Sequence, residues 1–466
     1  MSNKSNGSNN TLTNKYVLNH TIPVRIEFIK ELLKNKDIKT IVDFDSTNIE
    51  NFMTKSNNSF SQTNSQGNDN PLQKKTYIFN RIIEDIGGKL RYIKSGTTGH
   101  TFRGEIEYSP KEFLYYAVKV VAYPKKKYGG IHELSRPENA ELNMIKLLSY
   151  FVINGNTPHL ILPITTFNTK INNFVNLIEQ NVAEAKNDRG EVSKYAEFVE
   201  NYNNGNLHDD VSILISEWAN EGDFLDFMRK KYKQITLIEW KTFFFQIISV
   251  LAIIQSKFPS FRHNDMKANN ILIHKTNSKA EKYKYTVCGT IYKIPNINYE
   301  LKLWDFDFAC IPGIVDNAKV SFTSWTHQLN VVPVQNRYYD IHYFFSTLIS
   351  PNFLPHIMTD INVPVQVKDF INRIIPKKYQ TGKYVHKKGR ILVNDEYLIP
   401  DVILKSDSFF DEFRQTANVK TNIIPKNLKT KIKPKINQNI AKTKKKTKTI
   451  TPIDVENTRL SDILKN

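Results

Sequence analysis

The sequence predicts an α+β fold, richer in strand in its first half and in helix in its second, between termini that carry no core-forming pattern. Three observations predict it. The apolar strand-like runs "FLYYAVKVVAY" and "SILIS" precede a long helical run, "TLIEWKTFFFQIISVLAIIQSKF". Two short strand-like stretches, Ile271–Ile273 and "LKLW", each adjoin a polar cluster, "RHNDMKANN" before the first and "DFD" after the second. Residues 1–16 are rich in Ser and Asn, and such composition cannot bury enough apolar surface to order itself.

Composition narrows the class. The chain has 466 residues with 40% hydrophobic content and 28 Phe, which suits a well-filled interior. Its two cysteines, Cys288 and Cys310, exclude a disulfide framework and fit no zinc-ligand spacing, so a reducing compartment is expected. The start "MSNKSNGSNNTLTNKY" has no apolar signal region, and no uninterrupted apolar run reaches the roughly 20 residues of a membrane span. A soluble, intracellular protein is the expectation. The net charge is +19, and Lys420–Lys448 carries 11 Lys and no acid. That stretch reads as a disordered solubilising tail or, alternatively, as an anchor for nucleic acid or another polyanion.

In chain order, "IPVRIEFIKELL" has helix spacing at Ile26, Ile29 and Leu33, and Thr54–Pro71 is a linker by composition. Patterned sequence then runs from Tyr77 to Phe413. In "YIKSGTTGHTFRGEI", Gly96 and Gly99 lie between strand-like flanks. Two glycines are ordinarily a hairpin turn; the alternative is a backbone that approaches phosphates closely. Lys119 is the one charge within "FLYYAVKVVAY", and a buried ammonium needs an anionic partner unless it snorkels at an edge. A partner is offered by "ENAELNMIKLLSYF", helical through Leu142, Ile145 and Leu148, with Glu141 one place before that face and Glu138 as the competitor. After the strand Ile213–Ile215, Trp218–Gly222 forms a connector and Asp223 an N-cap. The long run from Thr236 is a core helix. Asp265, Lys267 and Asn270 then feed one short strand and Asp305 leaves another. Oxygen donors so placed suit Mg²⁺ shared with substrate phosphates, and Lys267 suits a transferring phosphoryl group.

The order of a glycine hairpin, a strand Lys, a helix Glu, an Asp–Lys–Asn loop and a strand-borne Asp resembles a divergent eukaryotic-type Ser/Thr protein kinase, over roughly Ile78 to Phe413. With its Asn-, Lys- and Ile-rich composition it is similar to kinases of large DNA viruses such as poxviruses and iridoviruses. The resemblance implies a bilobal fold: an N-terminal extension at 1–76, a kinase domain at 77–417 with lobes meeting near 217, and a tail at 418–466. It implies ATP and Mg²⁺, a protein substrate and, for a viral enzyme, host cytoplasm or virion. By it, Asp265 is the catalytic base and Lys267 contacts the γ-phosphate. Asn270 and Asp305 hold metal. Lys119, paired with Glu141, holds the α- and β-phosphates. Ile93, Gly96, Gly99 and Thr101 cover the nucleotide, the backbones of Glu217 and Ala219 face adenine, and Asp223 lies near the ribose. His263 becomes a structural residue and Asp340 the brace of the catalytic loop.

The sequence departs from the pattern at Lys94, where the first glycine belongs, at Asn264 in place of Arg, and at Asp307 in place of Gly. It has no Ala-Pro-Glu motif before Asp340, and an added hairpin is expected around Cys288-Gly289. Alternatives are a small-molecule kinase of the choline or aminoglycoside type, which "HND" and "DFD" also suit, and an inactive kinase-fold scaffold with a nucleic-acid-binding tail.

Overall fold

The computed structural model describes residues 22–45, 72, 74–96, 99–177, 179, 192–321 and 324–415. The Ser/Asn-rich start, the linker at Thr54–Pro71 and the Lys-rich stretch Lys420–Lys448 lie outside them.

Helix α1 (Ile22–Leu33) buries Phe28, Ile29, Leu32 and Leu33, as its spacing predicts, and with them Arg25. Helix α2 (Phe79–Ile86) ends at Gly87, whose φ of +96° stops the helix. An antiparallel sheet follows, from β1 (Lys89–Gly96), β2 (Gly99–Ser109), β3 (Glu112–Pro124), β4 (Pro163–Lys170) and β5 (Leu207–Glu217), in the order β1-β2-β3-β5-β4. Along β3, Tyr116, Val118, Val120 and Ala122 are fully buried. The two-residue period therefore puts Lys119 on the opposite face, with Ala117 and Val121. Helix α3 (Pro137–Ile153) starts on a proline, which has no N–H to leave unpaired there, and is buried over most of its length. Helix α4 (Lys194–Asn203) lies between β4 and β5 in sequence and packs Phe198 on His100 of β2, with ring centroids 4.3 Å apart.

Past β5 the structure is mainly helical. Asp223 caps α5 (Phe224–Lys231) by accepting from Asp226 N at 2.9 Å. Thr236 and Glu239 form a capping box on α6 (Leu237–Lys257). This helix is long and apolar enough to cross a membrane, but its most apolar stretch is mostly buried inside the protein. Phe244 packs edge-on to Phe345, with centroids 4.9 Å apart. Strand β6 (Ile271–Lys275) pairs with the later β9 (Tyr299–Leu303), and the segment between them forms a hairpin of β7 (Lys282–Val287) and β8 (Thr290–Pro295). Its two-residue turn, Cys288-Gly289, has φ of +46° and +81°, the primed geometry that matches strand twist. Tyr285 and Tyr292 dock the hairpin on Phe245 of α6 at 5.3 and 5.1 Å. Helices α7 (Tyr339–Leu348), α8 (Val365–Ile374) and α9 (Pro400–Ser406) are the longer elements after β9. A β-sheet first part and a helical second part make up the α+β, two-lobed arrangement expected from the sequence.

Candidate active site

Two side-chain clusters converge where the two parts meet. In the first, Lys119 Nζ donates to Glu141 Oε1 at 2.6 Å and to Asp305 Oδ1 at 3.0 Å. Glu138 instead accepts from Arg136 at 3.2 Å. Burial works against the ammonium, but the Asp305 and Glu141 carboxylates outweigh it and hold Lys119 above the ordinary lysine value. Burial likewise opposes the charge on Asp305, yet Lys119 brings that carboxyl down to about 2. Glu141, deeper in, is pushed up to about 7 by burial, with Lys119 pulling the other way and Asp305 and Asp307 adding to the push. Thr101 stands opposite Lys119 in the β2–β3 register.

The glycine hairpin brings Gly96 opposite Gly99; Thr97 and Thr98 lie outside the described residues. A Cβ on Gly99 would fall 1.8 Å from the Val120 carbonyl oxygen, so sheet packing alone demands glycine there. A Cβ on Gly96 would meet nothing closer than 4.0 Å, so packing does not explain that glycine. Ile93 is exposed.

The second cluster is the loop before β6. Ile271 pairs with Leu303, which sets Asn270 and the Trp304–Asp305 turn at the same end of the β6–β9 pair. Asp340 on α7 accepts from the backbone N–H groups of His263 and Asn264 at 2.8 and 2.9 Å. His263 is buried, and its Nε2 pairs with the Trp304 carbonyl at 3.0 Å, tying the loop to the turn. Asn270 Nδ2 donates to the carbonyl and to Oδ2 of Asp265, both at 2.9 Å. Lys267 Nζ also reaches Oδ2, at 3.0 Å. With its amide nitrogen committed, Asn270 keeps its oxygen as the ligand-capable atom. Asn264 and Asp305 have φ of +62° and +64°, a left-handed backbone that non-glycine residues hold only at a cost of about 1–3 kcal/mol each.

The connector after β5 is strapped to β6 through Ile273 N to Gly222 O (2.9 Å) and Glu221 N to Ile273 O (3.2 Å). Ala219 is buried, and Asp223 keeps its capping bond. The Glu217 N–H donates to Leu162 O at 3.1 Å, and its carbonyl accepts from Ser216 Oγ at 3.4 Å, which leaves that oxygen a second lone pair. Its carboxylate accepts from Arg25 Nε and Nη2 of α1 at 2.8 and 2.7 Å. Burial opposes that charge, and Arg25 carries the carboxyl below the ordinary glutamate value. Helix α1, on the far side of the expected domain start at 77, thus packs directly behind the connector.

The departures find partners of their own. Asp307 pairs with Lys319. Asn264 Nδ2 donates to Phe308 O at 3.0 Å and to Cys310 Sγ at 3.5 Å.

Sequence reasoning missed Arg25 and Arg390. Arg25 carried a readable signal, since it falls in helical phase with Ile29 and Leu32 on the buried face. Arg390 carried none. It follows "HKKG", which reads as a solvated basic turn, yet its Nη2 donates to Asp265 Oδ1 at 2.6 Å.

Asn270 and Asp305 both offer hard oxygen donors, and the Asp305 side chain is 37% exposed, which suits Mg²⁺ shared with phosphates. Among the described residues no cluster of three or more His, Cys, Asp or Glu could hold a metal unaided. Residues 112–413 match the family described as poxvirus serine/threonine protein kinase. Over 395 residues the chain is 45% identical to "Putative serine/threonine-protein kinase R400" of Acanthamoeba polyphaga mimivirus, covering 84% of this chain and 80% of the relative. The family match begins in β3 and so leaves out the glycine hairpin.

Proposed function

The chain belongs to the poxvirus serine/threonine protein kinase family, and from that premise we propose that it transfers the γ-phosphoryl group of ATP to Ser or Thr hydroxyls of a protein, with Asp265 as the base. The observation that carries the reading is the convergence of the Lys119–Glu141–Asp305 and Asp265–Lys267–Asn270 clusters on one end of the β6–β9 pair.

Each group has a task its geometry suits. The acceptor oxygen bonds to the γ-phosphorus, the bond from that phosphorus to the β–γ bridging oxygen breaks, ADP leaves, and the hydroxyl proton passes to Asp265. Lys267, beside the base, balances charge on the phosphoryl group in flight. Lys119, oriented by Glu141, holds the α- and β-phosphates. Ile93, Gly96, Gly99 and Thr101 cover the nucleotide. The Glu217 carbonyl and Ala219 N–H face adenine, and Asp223 lies by the ribose. Asn270 and Asp305 would hold Mg²⁺, which when bound offsets the charge of the phosphates. The functional unit extends from α1 through about residue 417, since Arg25 reaches the adenine side of the site.

The test supplies γ-labelled ATP, a mixed protein panel, and choline and an aminoglycoside as competing acceptors, followed by phosphoamino-acid analysis. Label on Ser and Thr is expected. Label chiefly on Tyr, or on either small molecule, would overturn the proposal.

A further inference from the structure

Arg390 lies 125 residues beyond Asp265 and outside every motif on which the proposed function rests. It sits between α8 and α9, in a loop that doubles back through Gly389 (φ +79°) and closes by a bridge between Val385 and Ile391. Its guanidinium is held through both terminal nitrogens and against one ring. Nη2 donates to Asp265 Oδ1 at 2.6 Å. Nη1 donates to Tyr339 Oη at 3.0 Å and to the Asn264 carbonyl. The guanidinium lies 4.0 Å from the centroid of the Tyr343 ring.

The residue is 7% exposed, and the carboxylate it pairs with is that of Asp265. Burying an Arg is costly unless its charge and donors are matched, so packing alone is a poor reason for one here. Tyr339 and Asp340 are neighbours on α7. One holds Arg390 and the other holds the loop backbone at His263 and Asn264. The same helix therefore anchors both the loop and the cation that grips its carboxylate.

We infer that Arg390 is a positioning residue for phosphoryl transfer, which fixes the Asp265 carboxylate from the Oδ1 side while Asn270 and Lys267 fix Oδ2. The inference rests on the reading of Asp265 as the base. The terminal torsion of an Asp is soft, with a broad distribution, so a carboxylate held at one oxygen can still swing. A general base must meet its proton at about 2.6–3.2 Å. Donors on both oxygens remove the swing. Each carboxylate oxygen has two lone pairs, so Oδ1 can accept from Arg390 and still face an acceptor hydroxyl.

Full-length Arg390→Ala, Arg390→Gln, Asp265→Asn and the Asp265→Asn/Arg390→Ala double variant test this, with kcat and KM measured for ATP and for a peptide. Misplacing a reacting group by about 1 Å costs about a hundredfold. Arg390→Ala should therefore lose about a hundredfold in kcat, with the KM for ATP within about twofold of the parent. Added guanidinium should restore part of the rate by refilling the vacated site. The double variant should be no slower than Asp265→Asn alone, because Arg390 acts only through that carboxylate. Parent-like kcat in Arg390→Ala, or a double variant slower again by the full Arg390→Ala factor, would overturn the inference. So would loss of cooperative melting in both Arg390 variants, which would make the residue a core pillar. Parent-like activity in Asp265→Asn would instead remove the reading of the base.

Discussion

Replacing Arg25 with Met would strand a buried carboxylate. Arg25 is 1% exposed and its partner Glu217 is 4% exposed, so water cannot take the place of the guanidinium. Four bonds go: those to Glu217 at 2.8 and 2.7 Å, and those to the carbonyls of Pro158 and Leu160 at 2.9 and 2.6 Å. Glu217 keeps only the Leu162 N–H at 2.7 Å among these donors. Removing one partner of a buried pair costs about 3–5 kcal/mol, whereas replacing both by apolar groups of similar volume is often neutral. Arg25→Met should therefore lose about 3–5 kcal/mol, and Arg25→Met/Glu217→Met should recover most of it.

The pH dependence gives a second handle. Burial pushes the Glu217 carboxyl up and Arg25 pulls it down further, so its folded value lies below its unfolded one. The stabilisation is present above the unfolded value and is lost as pH falls through the folded one. With Arg25 gone, burial, the largest influence on this carboxyl, is opposed by Lys302 and the Leu162 N–H, and the sign is expected to reverse: the deficit is largest near neutral pH and shrinks on acidification. Urea unfolding followed by tryptophan fluorescence, with Trp218 next to Glu217, reads both effects at constant slope. An unchanged midpoint, or a deficit that does not shrink on acidification, would refute the argument.

Asp305→Asn should cut turnover at least about a hundredfold by removing a charged metal ligand, while melting stays cooperative because Lys119 retains Glu141. Phosphatase-treated enzyme, its segment from Phe308 to Asn336 verified bare by mass spectrometry, should keep its initial rate within about tenfold, or roughly 1.4 kcal/mol. In that region Asn264 is bonded to Phe308 and Cys310, Arg262 to the carbonyls of Asn330 and Val334, and Arg337 to Glu396, so none of the three stands ready for a phosphate. Deleting residues 420–466 should leave peptide turnover intact and weaken any nucleic-acid binding, which should fall steeply with salt in the parent; loss of turnover would contradict this.

Local pattern carried the elements, and long-range charge pairing did not follow from it. The apolar run around Lys119 announced both a strand and a cation in need of a partner, and helical phase favoured Glu141 over Glu138. The polar loop before Ile271 and the turn after Leu303 stood out because each adjoins a short apolar strand. Arg25 and Arg390 reach Glu217 and Asp265 across 192 and 125 residues. Such contacts depend on where the chain returns, which no periodicity encodes. That Arg262 and Arg337 are both already paired is likewise visible only in the folded chain.

The role of Asp265 is decided by comparing the parent chain with Asp265→Asn, prepared identically, for transfer of labelled γ-phosphate to a Ser/Thr protein substrate and for ATP affinity. Asn keeps an acceptor oxygen for Arg390 but cannot take up the hydroxyl proton. Phosphoserine and phosphothreonine are expected from the parent, a loss of about a hundredfold or more in the variant, and ATP affinity within about twofold. Equal labelling by the two proteins would contradict that role.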